Sequence, residues 1–172
     1  MKQAVKPVIA LLLLASVVSA CAPKTAPSAE GNGSAHAGHT QQGHPTPQGD
    51  IQEKTASADA LPRFLDKQPE DVRLVYEAAG KAADLLKWMP CYCGCGESAG
   101  HMSNMNCFIK EVQADGSVVW DDHGTRCGVC LQIAVKSIKM KQDGKTLKEI
   151  RQTIEQTYKQ GFAKPTPTPM PS

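Results

Sequence analysis

The chain has 172 residues, of which 19 are basic and 17 acidic, with seven cysteines and five histidines. A balance this close to neutral, with no basic run, leaves nothing to neutralise a phosphate backbone and excludes nucleic-acid binding. Lys2 and Lys6 stand before Cys21 with no acid among residues 1–20, so the remainder carries 17 basic against 17 acidic residues.

The first 20 residues read as a targeting segment. After the two lysines, "VIALLLLASVV" (Val8 to Val18) is an apolar run, shorter than the roughly 20 residues a membrane span needs and of signal-peptide length. It ends in "VSAC", small residues followed by Cys21. That order resembles a bacterial lipobox and predicts a lipoprotein signal peptide over 1–20, with Cys21 as the lipidated first residue of the mature protein. A lipid anchor, not charge, would then hold the protein on the extracytoplasmic face of the cell membrane.

Residues 21–61 are rich in Pro, Gly, Ser, Ala and Gln and poor in large apolar side chains. Such a segment cannot offset its own ordering entropy and is expected to be a disordered tether, about 40 residues long with a reach of about 35 Å. It carries His36, His39 and His44, which are polar filler or an auxiliary, mobile capture site for metal ions.

Residues 62–163 have the size of a single domain. Pro69, followed by Glu70 and Asp71, suits a helix start. Val72, Val75, Tyr76, Ala79, Ala82, Ala83, Leu86 and Met89 then recur at helical spacing, and Pro90 ends the helix. "CFIKEV" and "SVVW" flank "QADG" and predict a short hairpin turning at Asp115–Gly116. A second helix begins near Arg126 or Cys127, with Cys127, Cys130, Leu131, Ala134, Val135 and Ile138 on one face, and closes at Gly144. Thr146 and Glu149 form a capping-box pattern for a third helix, with Leu147, Ile150, Ile154 and Tyr158 inward and Gly161 at its end. Residues 164–172, "KPTPTPMPS", form a Pro-alternating tail expected to be extended and solvated. The fold expected is mainly α: about three helices, a Cys-rich loop and a short hairpin.

Chemistry concentrates in "PCYCGCGESAGHMSNMNC" (Pro90 to Cys107) and "HGTRCGVC" (His123 to Cys130). Six cysteines remain once Cys21 is set aside: Cys91, Cys93, Cys95, Cys107, Cys127 and Cys130. In an exported protein they could form three disulfides in any of 15 pairings. Against this, Cys91, Cys93 and Cys95 alternate along a segment which, if extended, points them to one side with Cα atoms about 6.6 Å apart, near the limit for a disulfide. Such an array suits thiolates converging on a metal, especially if Gly94 lets the loop curl. His101 and His123, the two histidines outside the tether, both lie beside the cysteines, and Cys with His is the common ligand set of soft and borderline ions. Cys127 and Cys130 sit at a helix N-terminus, which favours thiolate. Cys-x-x-Cys can also cycle between dithiol and disulfide, but no strand–helix–strand pattern surrounds it.

No standard zinc or iron–sulfur spacing fits. Six sulfurs and two imidazoles exceed the four ligands of one tetrahedral ion and point to more than one ion, with copper as Cu(I) favoured over zinc. Met102 and Met105 add thioethers to the same loop, or are ordinary loop and core residues. No Ser/His/Asp order, phosphate loop or acid–base pair emerges, and Asp121 and Asp122 beside His123 read as capping or solvated acids, so no enzyme activity is expected.

The string "PCYCGCG", then His101, Cys107, "HGTRCGVC" and the helix "GKTLKEIRQTIEQTY", resembles the bacterial PCYCGC motif-containing lipoproteins over about residues 70–160. No activity is assigned to these proteins. The resemblance implies a lipid-anchored extracytoplasmic protein and supplies no catalytic residues. The reading is a membrane-anchored metal-binding protein with Cys91, Cys93, Cys95, Cys107, Cys127 and Cys130 as ligands. His101 and His123 serve as ligands or orienting partners, and a metal donor or acceptor protein is the expected partner. The alternatives are a disulfide-stapled binding module and, behind it, a thiol–disulfide redox protein.

Overall fold

The structure is a computed structural model that describes residues 44–45 and 49–172. The expected signal peptide, Cys21, His36, His39 and the side chain of His44 lie outside the described residues.

Helix α1 (Glu70–Lys81) starts at Pro69 with Glu70 and Asp71 in its first turn, where acids complement the helix dipole. It does not run on to Met89. At Ala82 the backbone leaves helical geometry (φ −111°, ψ 18°) and α2 (Ala83–Leu86) restarts. Leu85 and Leu86, neighbours at the end of α2, are both buried. Gly80 is buried in α1 because Trp120 lies against it: a Cβ there would sit 2.6 Å from the indole.

The remaining helices are α3 (Cys95–Ser98), α4 (Gly128–Gln142) and α5 (Leu147–Tyr158). The capping box of α5 is formed as its sequence suggests, with Thr146 accepting from the Glu149 N–H and Glu149 accepting from the Thr146 N–H. The buried stripe of α4 is Cys130, Ile133, Ala134 and Ser137. This corrects the expected face, since Val135 is 49 % exposed. Apolar residues at Val129, Leu131, Ile133 and Val135 surround this helix, so spacing alone could not choose between faces.

Among the described residues, four strands pair antiparallel in the order β1 (His44–Pro45), β2 (Ile51–Thr55), β4 (Val118–Asp121), β3 (Ile109–Val112). The β3–β4 hairpin turns at Gly116, whose φ of 84° suits glycine. Strand β2 corrects the expectation of a disordered tether up to residue 61: it pairs with β4 from Gln52↔Asp121 to Thr55↔Val118. "IQEKT" has little apolar content, and its strand form comes from the partner ladder and from Trp120 Nε1 donating to Thr55 Oγ1 at 2.8 Å. The result is a small mixed α/β domain. Its aromatic centre is Tyr76, edge-on to Phe108 at 5.1 Å and 6.3 Å from Trp120, with its hydroxyl donating to the Asp121 carbonyl.

The proline-rich tail is extended and mostly exposed, as expected, but it is not free of the domain. Thr166 and Thr168 are buried, and the Thr166 N–H donates to the Cys91 carbonyl while Thr166 Oγ1 accepts from the Cys91 N–H, both at 2.9 Å. Ala163 N–H donates to the Tyr92 carbonyl. Buried Arg151 on α5 clamps the segment by donating to the Thr168 and Pro169 carbonyls and to Trp88 O. Residues 163–169 therefore strap the start of the cysteine loop.

Candidate metal centre

Three stretches of chain deliver the sulfurs. Pro90 leads Cys91 and Cys93 along the strap, and Gly94, at φ 89°, then turns the loop into α3 at Cys95. The triplet is thus not one extended row: it curls at Gly94, and Cys91 Sγ and Cys93 Sγ come within 3.3 Å. Cys107 ends a tight 3₁₀ turn, Asn104–Cys107. Cys130 lies in the first turn of α4, with Cys127 as its N-cap. The buried Asn104 ties these pieces together, because its N–H donates to the Met89 carbonyl and its side-chain amide to the Cys130 carbonyl.

Cys91, Cys93, Cys107 and Cys130 form a sulfur tetrahedron. Five of its edges are 3.3 Å (91–93), 3.4 Å (91–130), 3.6 Å (91–107), 3.5 Å (93–130) and 3.1 Å (107–130). The sixth is within 4.8 Å. Thiolates about 2.3 Å from a central ion stand about 3.8 Å apart, so a few tenths of an ångström of outward movement would seat an ion. All six domain cysteines are free, and no sulfur pair is at disulfide distance.

Beside the tetrahedron, Cys95 Sγ is 3.8 Å from Cys107 Sγ, and His101 Nδ1 is 3.6 Å from the same sulfur. Cys93, Cys95 and His123 form one further ligand group and Cys95, His101 and Cys107 another. The rings of His101 and His123 meet edge-on at 4.8 Å. Cys127 is half-buried and falls in none of these groups, although it interacts with Cys93 and Cys130. Met102 is 55 % exposed and Met105 packs against the core. Asp121 caps the turn after β4 by accepting from the His123 N–H, and Asp122 accepts from the Ile51 N–H and from Arg126.

The thiols shift in opposite directions. Hydrogen bonds from Cys107 and then Cys130 hold the Cys91 thiol down to about 4, and the bonds of Cys107, Cys127 and Cys130 lower Cys93 as well. Burial pushes the Cys107 thiol far above its ordinary range. Hydrogen bonding to Cys93 raises His123, whereas burial and then the charge of His123 lower His101 and keep it neutral. The set has the makings of a soft-ion site, with thiols shifted both toward and away from the anion and an imidazole held toward its neutral form.

The family described as "Protein of unknown function with PCYCGC motif" matches residues 10–171. The chain belongs to this family. Its motif is Pro90–Cys95, whose first two cysteines enter the tetrahedron and whose third stands beside it. No curated protein and no solved structure matches the chain.

Sequence reasoning missed Asn104, Thr166, Arg151 and Asp50. Asp50 pairs with Arg126 and lies 3.5 Å from His123 Nδ1. Their partners stand many positions away along the chain, and no local spacing marks them.

Proposed function

We propose that the protein is a membrane-anchored, extracytoplasmic metal-binding protein that sequesters or hands over a soft ion, Cu(I) ahead of Zn(II). The observation that carries this reading is the mutual approach of four sulfurs, three buried and one, Cys93, half-buried. A disulfide pairs sulfurs two by two at about 2.05 Å, whereas Cys91 has three sulfur neighbours at nearly equal distances of 3.3, 3.4 and 3.6 Å. Near-equal separations suit a shared central ion. Thiolates select Cu(I) and zinc, and the softer ion has the advantage in an all-sulfur shell. Cys93, Cys127 and His123 are the half-buried members of the cluster, which makes their side the route of exchange with a donor or acceptor protein. The lipobox-like end at Cys21 supports attachment to the membrane.

Anaerobic purification followed by elemental analysis and thiol titration tests the reading. Bound copper or zinc is expected, with six titratable thiols once the metal is chelated. Neither metal nor thiols would leave a disulfide-stapled module. Competition between chelators of known affinity ranks Cu(I) against Zn(II). Cys21→Ala should move the protein from the membrane fraction to the soluble one.

A further inference from the structure

We infer that the cluster is built for two cations joined through shared sulfur, the second held by Cys95 with His101 and His123. This rests on the metal reading of the four-sulfur site.

Cys95 is buried, yet it stands outside the tetrahedron. It belongs instead to both outer ligand groups, one through Cys93 and His123 and the other through Cys107 and His101. Each group therefore brings one sulfur that the inner ion already uses. A thiolate can bridge two metals, and each bridging sulfur then has two cations to compensate its charge in a place where an uncompensated charge is costly. Cys91 and Cys130 remain terminal on the inner ion, and Cys95 and the imidazoles become terminal on the outer one.

The histidines are placed for this role. His101 is only 6 % exposed, with Nδ1 3.6 Å from the Cys107 sulfur. His123 presents Nδ1 to Asp50 Oδ1 at 3.5 Å, the carboxylate–histidine arrangement that orients a metal-binding imidazole and leaves Nε2 for the ion. Arg126 holds Asp50 and Asp122 in turn. The two sites differ in character. The inner one is all sulfur, buried apart from the shared, half-buried Cys93, and the outer one mixes sulfur with nitrogen and reaches the half-buried His123. The outer ion is the exchangeable one and admits borderline as well as soft cations.

The test loads the full-length protein, reduced, anaerobic and in detergent, with Zn(II) or Cu(I), strips loose ions on a chelating resin and counts the metal retained. Two ions per chain are expected, with a metal–metal scattering path in X-ray absorption. His101→Ala/His123→Ala should retain one ion and lose that path while keeping thiolate-to-metal absorption, and Cys95→Ser should do the same. A wild-type protein retaining one ion, or a double histidine variant retaining two, overturns the inference but spares the four-sulfur site. A wild-type protein retaining none overturns both. The wild-type count and scattering path decide by themselves if a variant misfolds.

Discussion

The sulfurs of Cys107 and Cys130 lie 3.1 Å apart, and a single side chain, Asn104, holds the backbones that carry them. Asn104 opens the turn that ends in Cys107 and donates to the Cys130 carbonyl at 3.1 Å. The separation of the two thiols is thus set by a hydrogen bond between their supports. Asn104→Ala should weaken metal binding about 10- to 100-fold, the usual cost of losing a group that orients ligands. The thiol count should stay at six. Chelator competition reads the affinity, and an unchanged value would detach Asn104 from the site.

Cys130 and Cys127 should behave differently although they share one Cys-x-x-Cys. Cys130 is a corner of the tetrahedron and Cys127 stands at its rim. If about 12 kcal/mol of binding is spread over four ligands, losing one thiolate costs about 3 kcal/mol, or about a hundredfold in dissociation constant. Cys130→Ser should show that loss. Cys127→Ser should keep the affinity and slow the transfer of metal to a competing chelator, measured by stopped flow. Equal losses of affinity in both variants would make Cys127 an ordinary ligand.

Metal affinity should rise with pH. Burial raises Cys107 above the normal thiol range, so an incoming ion should have to displace a proton there. Each proton expelled makes the affinity climb about tenfold per pH unit while pH stays below the raised pKa. Calorimetry in buffers of different ionisation enthalpy should record at least one proton released per ion. A flat profile between about pH 6 and 8 would contradict the protonated Cys107.

The strap should govern retention more than composition. Thr166→Val removes the acceptor for the buried Cys91 N–H, and an orphaned buried donor costs about 1–3 kcal/mol. Metal should leave the variant faster than the wild type even though every sulfur and imidazole is intact. Hydrogen exchange at the Cys91 and Tyr92 amides should rise in parallel. Wild-type release rates would show that the strap is decoration.

Gly124 is a packing requirement of the same centre. A Cβ there would come within 2.8 Å of the Phe108 ring and 2.9 Å of the Cys107 carbonyl oxygen. Gly124→Ala should cost about 1–3 kcal/mol from overpacking and displace Cys107. Thermal unfolding and metal retention should fall together, and a variant with wild-type values for both would refute the contact.

Much of this was legible locally. Pro69 and the Thr146–Glu149 box marked helix starts, and Asp115–Gly116 marked the hairpin, because caps and tight turns are written in a few adjacent residues. The ligand types were legible too, since few chemistries gather Cys and His so closely. What escaped was decided at long range. Strand β2 owes its form to β4, and Thr166 and Thr168 are buried by hydrogen bonding to the loop rather than by apolar character. The break at Ala82 left no mark in a pattern that continues smoothly from Val72 to Met89.

Residues 163–169 follow every sulfur and imidazole of the cluster in chain order. A ribosome therefore produces all the ligands before it produces the strap that bonds to Cys91 and Tyr92. The finished fold holds the start of the cysteine loop against that strap. Cutting the chain between α5 and Ala163 would detach the strap without removing a single ligand, so the strap's part in holding the loop is separable from the ligands themselves.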